Sequence, residues 1–354
     1  MAKLEIVNSI LREHLKYPSS FTQTFLIHGL SLNLTSNSPH ISGAINNLLG
    51  HFRSRQVKKD PELRFYLMQS PLSKVQLLPM IRKEGQLLFD SEEESQFNLV
   101  QKMEWHLKYF SWEELFWADF GPNGMLVLDP QNGVGAGWFP DPSSIHPDIL
   151  SNFIFLIGLS ELVRSRGLYL IHAAALARDG KGLLIPGFTG SGKTTLSIAL
   201  LREGFRFLGD DRTFIKKEAD GLKLLAFPDE LDVTEKTLFS FPEMKDLPKD
   251  TFKMGPRKKK FWVERVYPGS IIDISVPRIL LFPNIVQKEN SQLEPLSKAE
   301  AVERLLPHSL LVFDGEIAEK HFHLLCHLVE EMDCYHLDFG QDILHVHKLI
   351  DKII

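Results

Sequence analysis

The chain has 354 residues, of which 44% are hydrophobic and 24% charged, with a formal net charge of −5. Such values exclude a disordered or low-complexity chain and a general nucleic-acid binder, and the length suits two globular domains. The two cysteines, Cys326 and Cys334, make neither a disulfide framework nor a C-x-x-C zinc pair, so a reducing cytoplasm is the expected setting.

The N-terminal stretch carries Glu5, Arg12, Glu13 and Lys16 among its apolar residues, which rules out the uninterrupted apolar core of a secretory signal. Residues 22–36, TQTFLIHGLSLNLTS, alternate apolar and polar side chains and predict one or two strands. ISGAINNLLGHFRS, 41–54, has helical spacing, and LRFYLMQ and GQLLFD read as further strands. Residues 114–139 predict a β-meander with turns at GPNG and PQNG. Trp105, Trp112, Trp117 and Trp138 belong to the core of this part, which by position is a candidate for binding a substrate or partner. PDPSS, 140–144, breaks the pattern. The predicted division is therefore an N-terminal α+β module over 1–145 and a second domain over 146–354.

The second domain begins with a predicted helix from Pro147 to about Arg164. It contains the most apolar run, 153–163, which Glu161 interrupts and which falls short of the ~20 residues that cross a bilayer. GLYLIHAAALARDGKGLLIPG reads as strand, Asp-Gly turn, strand. TTLSIALLREG has helical spacing and stops at Gly204. FRFLGDD is an apolar strand ending in two carboxylates. LKLLAF, KFWVERVY, PRILLFPNI and QLEPL are predicted strands, SKAEAVERLLP a helix, MDCYHLDFG a strand, and DILHVHKLIDKII an amphipathic helix.

Between the LLIP strand and its helix lies GFTGSGKT, residues 187–194, which fits G-x-x-x-x-G-K-[ST] in the strand–loop–helix context that a phosphate-binding loop requires. Gly187, Gly190 and Gly192 let backbone N–H groups turn toward phosphate oxygens. The helix starting near Lys193 adds its dipole, Lys193 adds a point charge for the β- and γ-phosphates, and Thr194 adds a hydroxyl for Mg²⁺. Thr189, Ser191 and Thr195 complete the expected nucleotide contacts. No acid ends the later apolar strand ILLFPNI, and no LSGGQ-like signature occurs, which argues against a motor or transporter ATPase. Asp210 and Asp211 instead follow one helix and one strand after the loop. One carboxylate suits a metal and the other suits the proton of an attacking hydroxyl. Asp211 is grouped with Thr194 for the metal, while which of the two acids is the base stays open. His172, on the strand before the loop strand, is a candidate for touching phosphate or orienting an Asp, with three small alanines after it leaving room for a ligand.

The run from His172 through GFTGSGKTT to FRFLGDD resembles the catalytic domain of bacterial HPr kinase/phosphorylase, which belongs with the phosphoenolpyruvate carboxykinase type of P-loop fold. The likeness is specific over about 168–214 and looser beyond. It implies an α/β kinase that uses ATP and Mg²⁺, with Lys193 and Thr194 on phosphates and metal, Asp210 and Asp211 as base and metal partner, and His172 near the phosphates. Three features set the chain apart as a divergent relative. Thr195 stands where that family has an acid, no V-R-P-G-R segment is found, and the N-terminal half does not match that family's regulatory domain. Relatives of this fold often assemble, so a homo-oligomer belongs to what the resemblance implies.

The other features are weaker. FKMGPRKKKFW, 252–262, places Arg257 and Lys258 to Lys260 after a stretch that reads as a mobile loop. It is a solvated face, a source of one cation, Arg257 first, for the transferring phosphate, or a dock for an acidic substrate segment. Asp229, Glu230 and Asp232 read as an exposed acidic loop, with a carboxylate that supports the Asp210–Asp211 site as the alternative. HFH, His321 with His323, and HVH, His345 with His347, raise a metal site, but HVH lies on a predicted helix, where i, i+2 positions point apart, and no metal is expected. The sequence thus predicts transfer of the γ-phosphoryl group of ATP to a serine-like hydroxyl of a protein or peptide. A metabolite kinase and a nucleotide-gated binding module are the alternatives.

Overall fold

A computed structural model describes residues 21–56, 60–71, 84–91, 106–244, 258–309, 312 and 315–354. Eight strands build the sheet of the first unit: β1 (Phe21–Ile27), β2 (Leu30–Ser36), β3 (Leu63–Gln69), β4 (Gln86–Asp90), β5 (Lys108–Trp112), β6 (Leu115–Asp119), β7 (Met125–Asp129) and β8 (Val134–Phe139). Their order is β1-β2-β3-β8-β7-β6-β5-β4. The predicted meander is β6-β7-β8, antiparallel throughout. Parallel pairing of β2 with β3 needs a crossover. Helix α1 (Pro39–Leu49) supplies it, with Pro39 opening the helix and Ile41, Ala44, Ile45, Leu48 and Leu49 buried along one stripe. Trp117 and Trp138 are core residues as expected and Trp112 packs beside them, while Trp105 lies outside the described residues.

The helix predicted from Pro147 forms as a short α-turn, a π-helical stretch Leu150–Phe155, and then α2 (Leu156–Arg164). It belongs to the first unit, not the second. The chain divides between Gly167 and Leu168, whereas the sequence pattern placed the division at 145. The reason is packing. Every residue of α2 is buried, Tyr109 of β5 donates to Glu161 at 2.9 Å, and Arg164 donates to the same carboxylate at 2.8 Å. The acid that interrupts the apolar run is thus one half of a buried ion pair.

The second unit is built on β9 (Leu168–Ile171), β10 (Ala173–Arg178), β11 (Lys181–Pro186), β12 (Arg206–Gly209), β13 (Thr213–Glu218), β14 (Gly221–Leu225), a β15–β16 ribbon (Leu231–Thr234 with Lys258–Phe261), β17 (Ile274–Ile285), β18 (Gln292–Pro295) and β19 (Asp333–Phe339). Apart from the ribbon these make one sheet, ordered β12-β10-β11-β17-β14-β13-β9, with β19 also on β17 and β18 on β19. Its helices are α3 (Lys193–Arg202), α4 (Glu235–Ser240), α5 (Lys298–Leu305) and α6 (Gly315–Glu331). Alternation along β10 assigns the faces. Ala174 and Leu176 join the core under α3 with Leu196, Ala199 and Leu200. Ala173, Ala175 and Ala177 join the opposite core with Leu305 of α5 and Leu325, Leu328 and Val329 of α6. A strand covered on both faces reads as a continuous apolar run. The alanines after His172 therefore leave no room for a ligand, contrary to expectation, because all three are fully buried core.

Three other segments differ from their predictions. KFWVERVY is strand only to Phe261. A 3₁₀ turn follows at Val263–Arg265, with Glu264 accepting from the Gly269 and Ile271 amides. The C-terminal segment is not one helix but a 3₁₀ turn, Ile343–His345, and a short α-turn, His347–Ile350, because Asp342 accepts from the Ser291 amide and hydroxyl instead of opening a helix. The joint in residues 168–186 is a third strand break: His172 separates β9 from β10. Among the described residues no helix is long and apolar enough to cross a membrane.

Removing one partner of a buried ion pair strands the other. Arg164→Met is expected to cost about 3–5 kcal/mol, and Tyr109→Phe about 1 kcal/mol. Urea unfolding followed by tryptophan fluorescence checks both. Equal, small losses would contradict the buried pair.

Candidate functional site

Strand direction assembles the site. β11 and β12 both run antiparallel to β10, so their carboxyl ends lie at the same end of the sheet. β17 runs parallel to β11 and ends there too. His172 immediately precedes β10, which starts at that end. A sheet with its loops gathered at the carboxyl ends of its strands is where α/β proteins place ligands.

The loop after β11 joins directly to α3. Gly192 caps the helix at φ +101°, and Gly190 has φ +91°, a left-handed region that side chains with a Cβ avoid. A Cβ on Gly187 would fall 2.3 Å from Ser191 Oγ, so the glycine keeps the cradle open. Thr189 and Gly190 are exposed on the rim, and Lys193 is only 6% exposed. The Lys193 ammonium donates to the Gly187 carbonyl and, at 3.4 Å, to Nε2 of His172. Ser191 Oγ is buried with no hydrogen-bond partner.

The acids come from the turn after β12. Thr194 Oγ1 donates to Asp210 Oδ2 at 2.6 Å, and Ser197 Oγ donates to Asp210 Oδ1 at 2.9 Å. Asp210 is 2% exposed, whereas Asp211 is half-buried. Gly209 makes the turn fit. A Cβ there would meet the Arg212 carbonyl at 2.2 Å and the Phe227 carbonyl at 2.8 Å. Burial, and then the charge of Asp211, push the Asp210 carboxyl above the usual carboxylate range, against the Thr194 and Ser197 hydrogen bonds and Lys193.

Asp229 joins this group, although the sequence suggested an exposed loop. Its Oδ1 accepts from the Asp210 amide at 3.4 Å, and its Oδ2 lies 3.5 Å from Arg212 Nη1. Burial raises its carboxyl as well, with Arg212 opposing. The fold brings Asp229 there by returning Phe227 to Leu208 through a main-chain hydrogen bond of 2.9 Å, the alternative that the FPDELDV carboxylates left open. Glu230 stays exposed.

Burial and Lys193 hold His172 below its ordinary range, so the ring that accepts from Lys193 is neutral. A second imidazole, His308, was not singled out by the sequence. It comes from the 3₁₀ turn after α5 (Leu306–His308). Its ring centroid lies 6.2 Å from that of His172 and 4.6 Å from that of Phe188 on the loop. Burial, then His172 and Lys193, lower its pKa to about 4. Thr195 faces sideways: its hydroxyl is 3.0 Å from Thr237 Oγ1 on α4. Arg257 lies outside the described residues. Lys258, Lys259 and Lys260 form β16, where Lys259 is buried and half-buried Lys260 pairs across from Asp232.

The residues fit a magnesium triphosphate. The glycine cradle and the buried Ser191 hydroxyl suit phosphate oxygens, and the touching Thr194 and Asp210 oxygens are the hard donors that Mg²⁺ prefers. Among the described residues no three His, Cys, Asp or Glu side chains form a metal cluster of their own. His321 and His323 point apart on α6: His321 is buried against Tyr169, and His323 is exposed beside Glu319.

No family model matches the chain, and no curated protein matches it. Among solved structures, the HPr(Ser) kinase/phosphatase from Coxiella burnetii is similar at 13% sequence identity, over 52% of this chain and 88% of that chain, with a TM-score of 0.29. A likeness at that score carries no argument, so the chemistry stands on the chain's own geometry.

Two outcomes follow from that geometry. Gly209→Ala forces the Asp210–Asp211 turn apart, because backbone carbonyls cannot swing aside. It is expected to cost about 1–3 kcal/mol or more in thermal stability, and an unchanged melting temperature would contradict the close approach. The second concerns pH. His308 is held near 4 when folded and titrates near 6.5 when unfolded. Between those values the unfolded chain binds the extra proton, so this residue's contribution to stability is lost as pH falls from about 6.5 toward 4. Melts at pH 7.5 and 5 should therefore separate less in His308→Gln than in the wild type.

Proposed function

We propose that the second unit is an ATP-dependent phosphotransferase that moves the γ-phosphoryl group to a hydroxyl acceptor. The observation that carries this reading is the meeting of a glycine-cradled lysine with a hydroxyl–carboxylate pair, Thr194 with Asp210. The loop amides and Lys193 bind the phosphates, and the Lys193–His172 contact keeps the ammonium aimed into the cradle. Thr194 and Asp210 would hold Mg²⁺, which when bound neutralises charge on the β- and γ-phosphates. This assigns the metal to Asp210 and not to Asp211. Asp210 is 2% exposed and faces Thr194 and Ser197 through its two oxygens, so an acceptor hydroxyl reaches it less readily than it reaches Asp211. Asp211 is the more accessible acid and is assigned as the base. The acceptor oxygen forms a bond to the γ-phosphorus, the bond from that phosphorus to the β–γ bridging oxygen breaks, ADP leaves with the electron pair, and the acceptor proton goes to Asp211.

The acceptor is read as a serine-like hydroxyl on a protein or peptide, recognised in part by the first unit. That assignment rests on the sequence resemblance and is separable from the chemistry of the site. A cytoplasmic, soluble protein is part of the same reading.

Variants distinguish the roles. Lys193→Ala is expected to lose phosphoryl transfer and to weaken ATP binding. Asp211→Asn is expected to keep ATP binding within about twofold and to lose about 10²–10⁴ in turnover, the usual worth of a general base. Titration calorimetry for binding and a coupled ADP-release assay for turnover read the two separately. Full turnover in Lys193→Ala, or a loss in Asp211→Asn that is entirely a loss of affinity, contradicts the assignment.

A further inference from the structure

The loop is flanked by two buried polar atoms that find no hydrogen-bond partner among the described residues. One is Ser191 Oγ, inside the loop itself. The other is Nδ1 of His308, contributed from far along the sequence. His308 is 4% exposed, and a buried ring nitrogen without a partner carries an uncompensated desolvation cost.

The surroundings of His308 say what kind of partner it awaits. Its main-chain carbonyl accepts from the His172 amide at 2.8 Å, which fixes the turn beside the start of β10. A bridge between Ile171 and Ser309 fastens the next residue as well. Its ring packs on Phe188, the residue between Gly187 and Thr189 in the loop, and lies alongside the ring of His172, whose Nε2 contacts Lys193. Phe188 is half exposed, yet its ring rests on His308 at 4.6 Å between centroids. The position thus belongs to the rim of the phosphate cradle, with neutral and cationic groups around it and no carboxylate among these contacts. An imidazole N–H in such a place suits an anionic oxygen.

Resting on the phosphate-loop reading, we propose that His308 is a phosphate-binding residue of this site, its Nδ1–H donating to a non-bridging oxygen of the bound polyphosphate. The loop's own amides, Lys193 and the Ser191 hydroxyl hold one side of the phosphates. His308, standing on the 3₁₀ turn after α5, closes the other. Phe188 lies across the imidazole and limits its rotation, so the pair acts as a clamp made of one loop residue and one distant residue. Selectivity follows: the contact rewards a polyphosphate and gives nothing to the nucleoside.

The test uses the full-length protein and inorganic tripolyphosphate with Mg²⁺ as the probe, with Mg·ATP in parallel. Calorimetric titration of wild type, His308→Gln and Ser191→Ala gives the affinities. His308→Gln is expected to bind both probes about tenfold more weakly, as for loss of one hydrogen bond to a charged group. Equal affinity in wild type and His308→Gln overturns the proposal while leaving the loop assignment standing. No binding by the wild type overturns both. A second measurement needs no variant. Exchange of the imidazole C2 hydrogen at His308, read by mass spectrometry on the wild type, is expected to change severalfold on saturation with tripolyphosphate. An unchanged rate at His308 under saturation overturns the proposal even if the variant does not fold.

Discussion

The hydrogen bond from Thr194 to Asp210 is the constraint on which the rest of the site depends. It joins the first turn of α3 to the turn after β12, two elements that sit on strands separated by β10. Lying between them and antiparallel to both, β10 leaves the carboxyl ends of β11 and β12 at one end of the sheet. The tight turn at Gly209, the Ser197 hydroxyl and the Asp229 contact to the Asp210 amide then fix the acid from three further sides. Charge follows from that packing. Three carboxylates, Asp210, Asp211 and Asp229, share a small volume with Arg212 and Lys193, and burial makes each neighbouring charge count for more.

Such an arrangement is unfavourable for folding alone. Asp210 and Asp229 are both raised above the usual carboxylate range chiefly by burial, and Ser191 and His308 keep buried polar atoms unsatisfied. Elsewhere in the same unit β10 alternates between two apolar cores and α5 carries a capping box between Ser297 and Glu300, although Ser270 and Ser275 also bury hydroxyls without a partner. What sets the loop apart is that buried acids and unsatisfied polar atoms gather there around one lysine.

The sequence made part of this legible. GFTGSGKT carried its own geometry, since its glycines, lysine and threonine act through the backbone next to them. Asp210 and Asp211 were legible because one helix and one strand is the distance that returns a chain to its starting edge. The partners that come from afar were not. Asp229 looked like a residue of an exposed loop until Phe227 paired with Leu208, and His308 was one histidine in a histidine-rich stretch. Helix α6 went unpredicted, although His323 and His327 sit one turn from Glu319 and Glu331 on it. The alanines of β10 were misread in the other direction: small side chains signalled a close approach of helices, not an opening. In the first unit the meander was clear from its turns, but the domain boundary was not, because Glu161 conceals the burial of α2 until Arg164 and Tyr109 are seen around it.

Transfer of the γ-phosphoryl group from ATP to a hydroxyl leaves a label that can be followed. The most direct test follows the label from γ-labelled ATP and Mg²⁺ in an extract of the source cells, with protein, small-molecule and inorganic phosphate fractions separated. Acid-stable label is expected on a protein or peptide, present with wild type and absent with Asp211→Asn. Label found only as inorganic phosphate, or bound ATP that is never consumed, would contradict it.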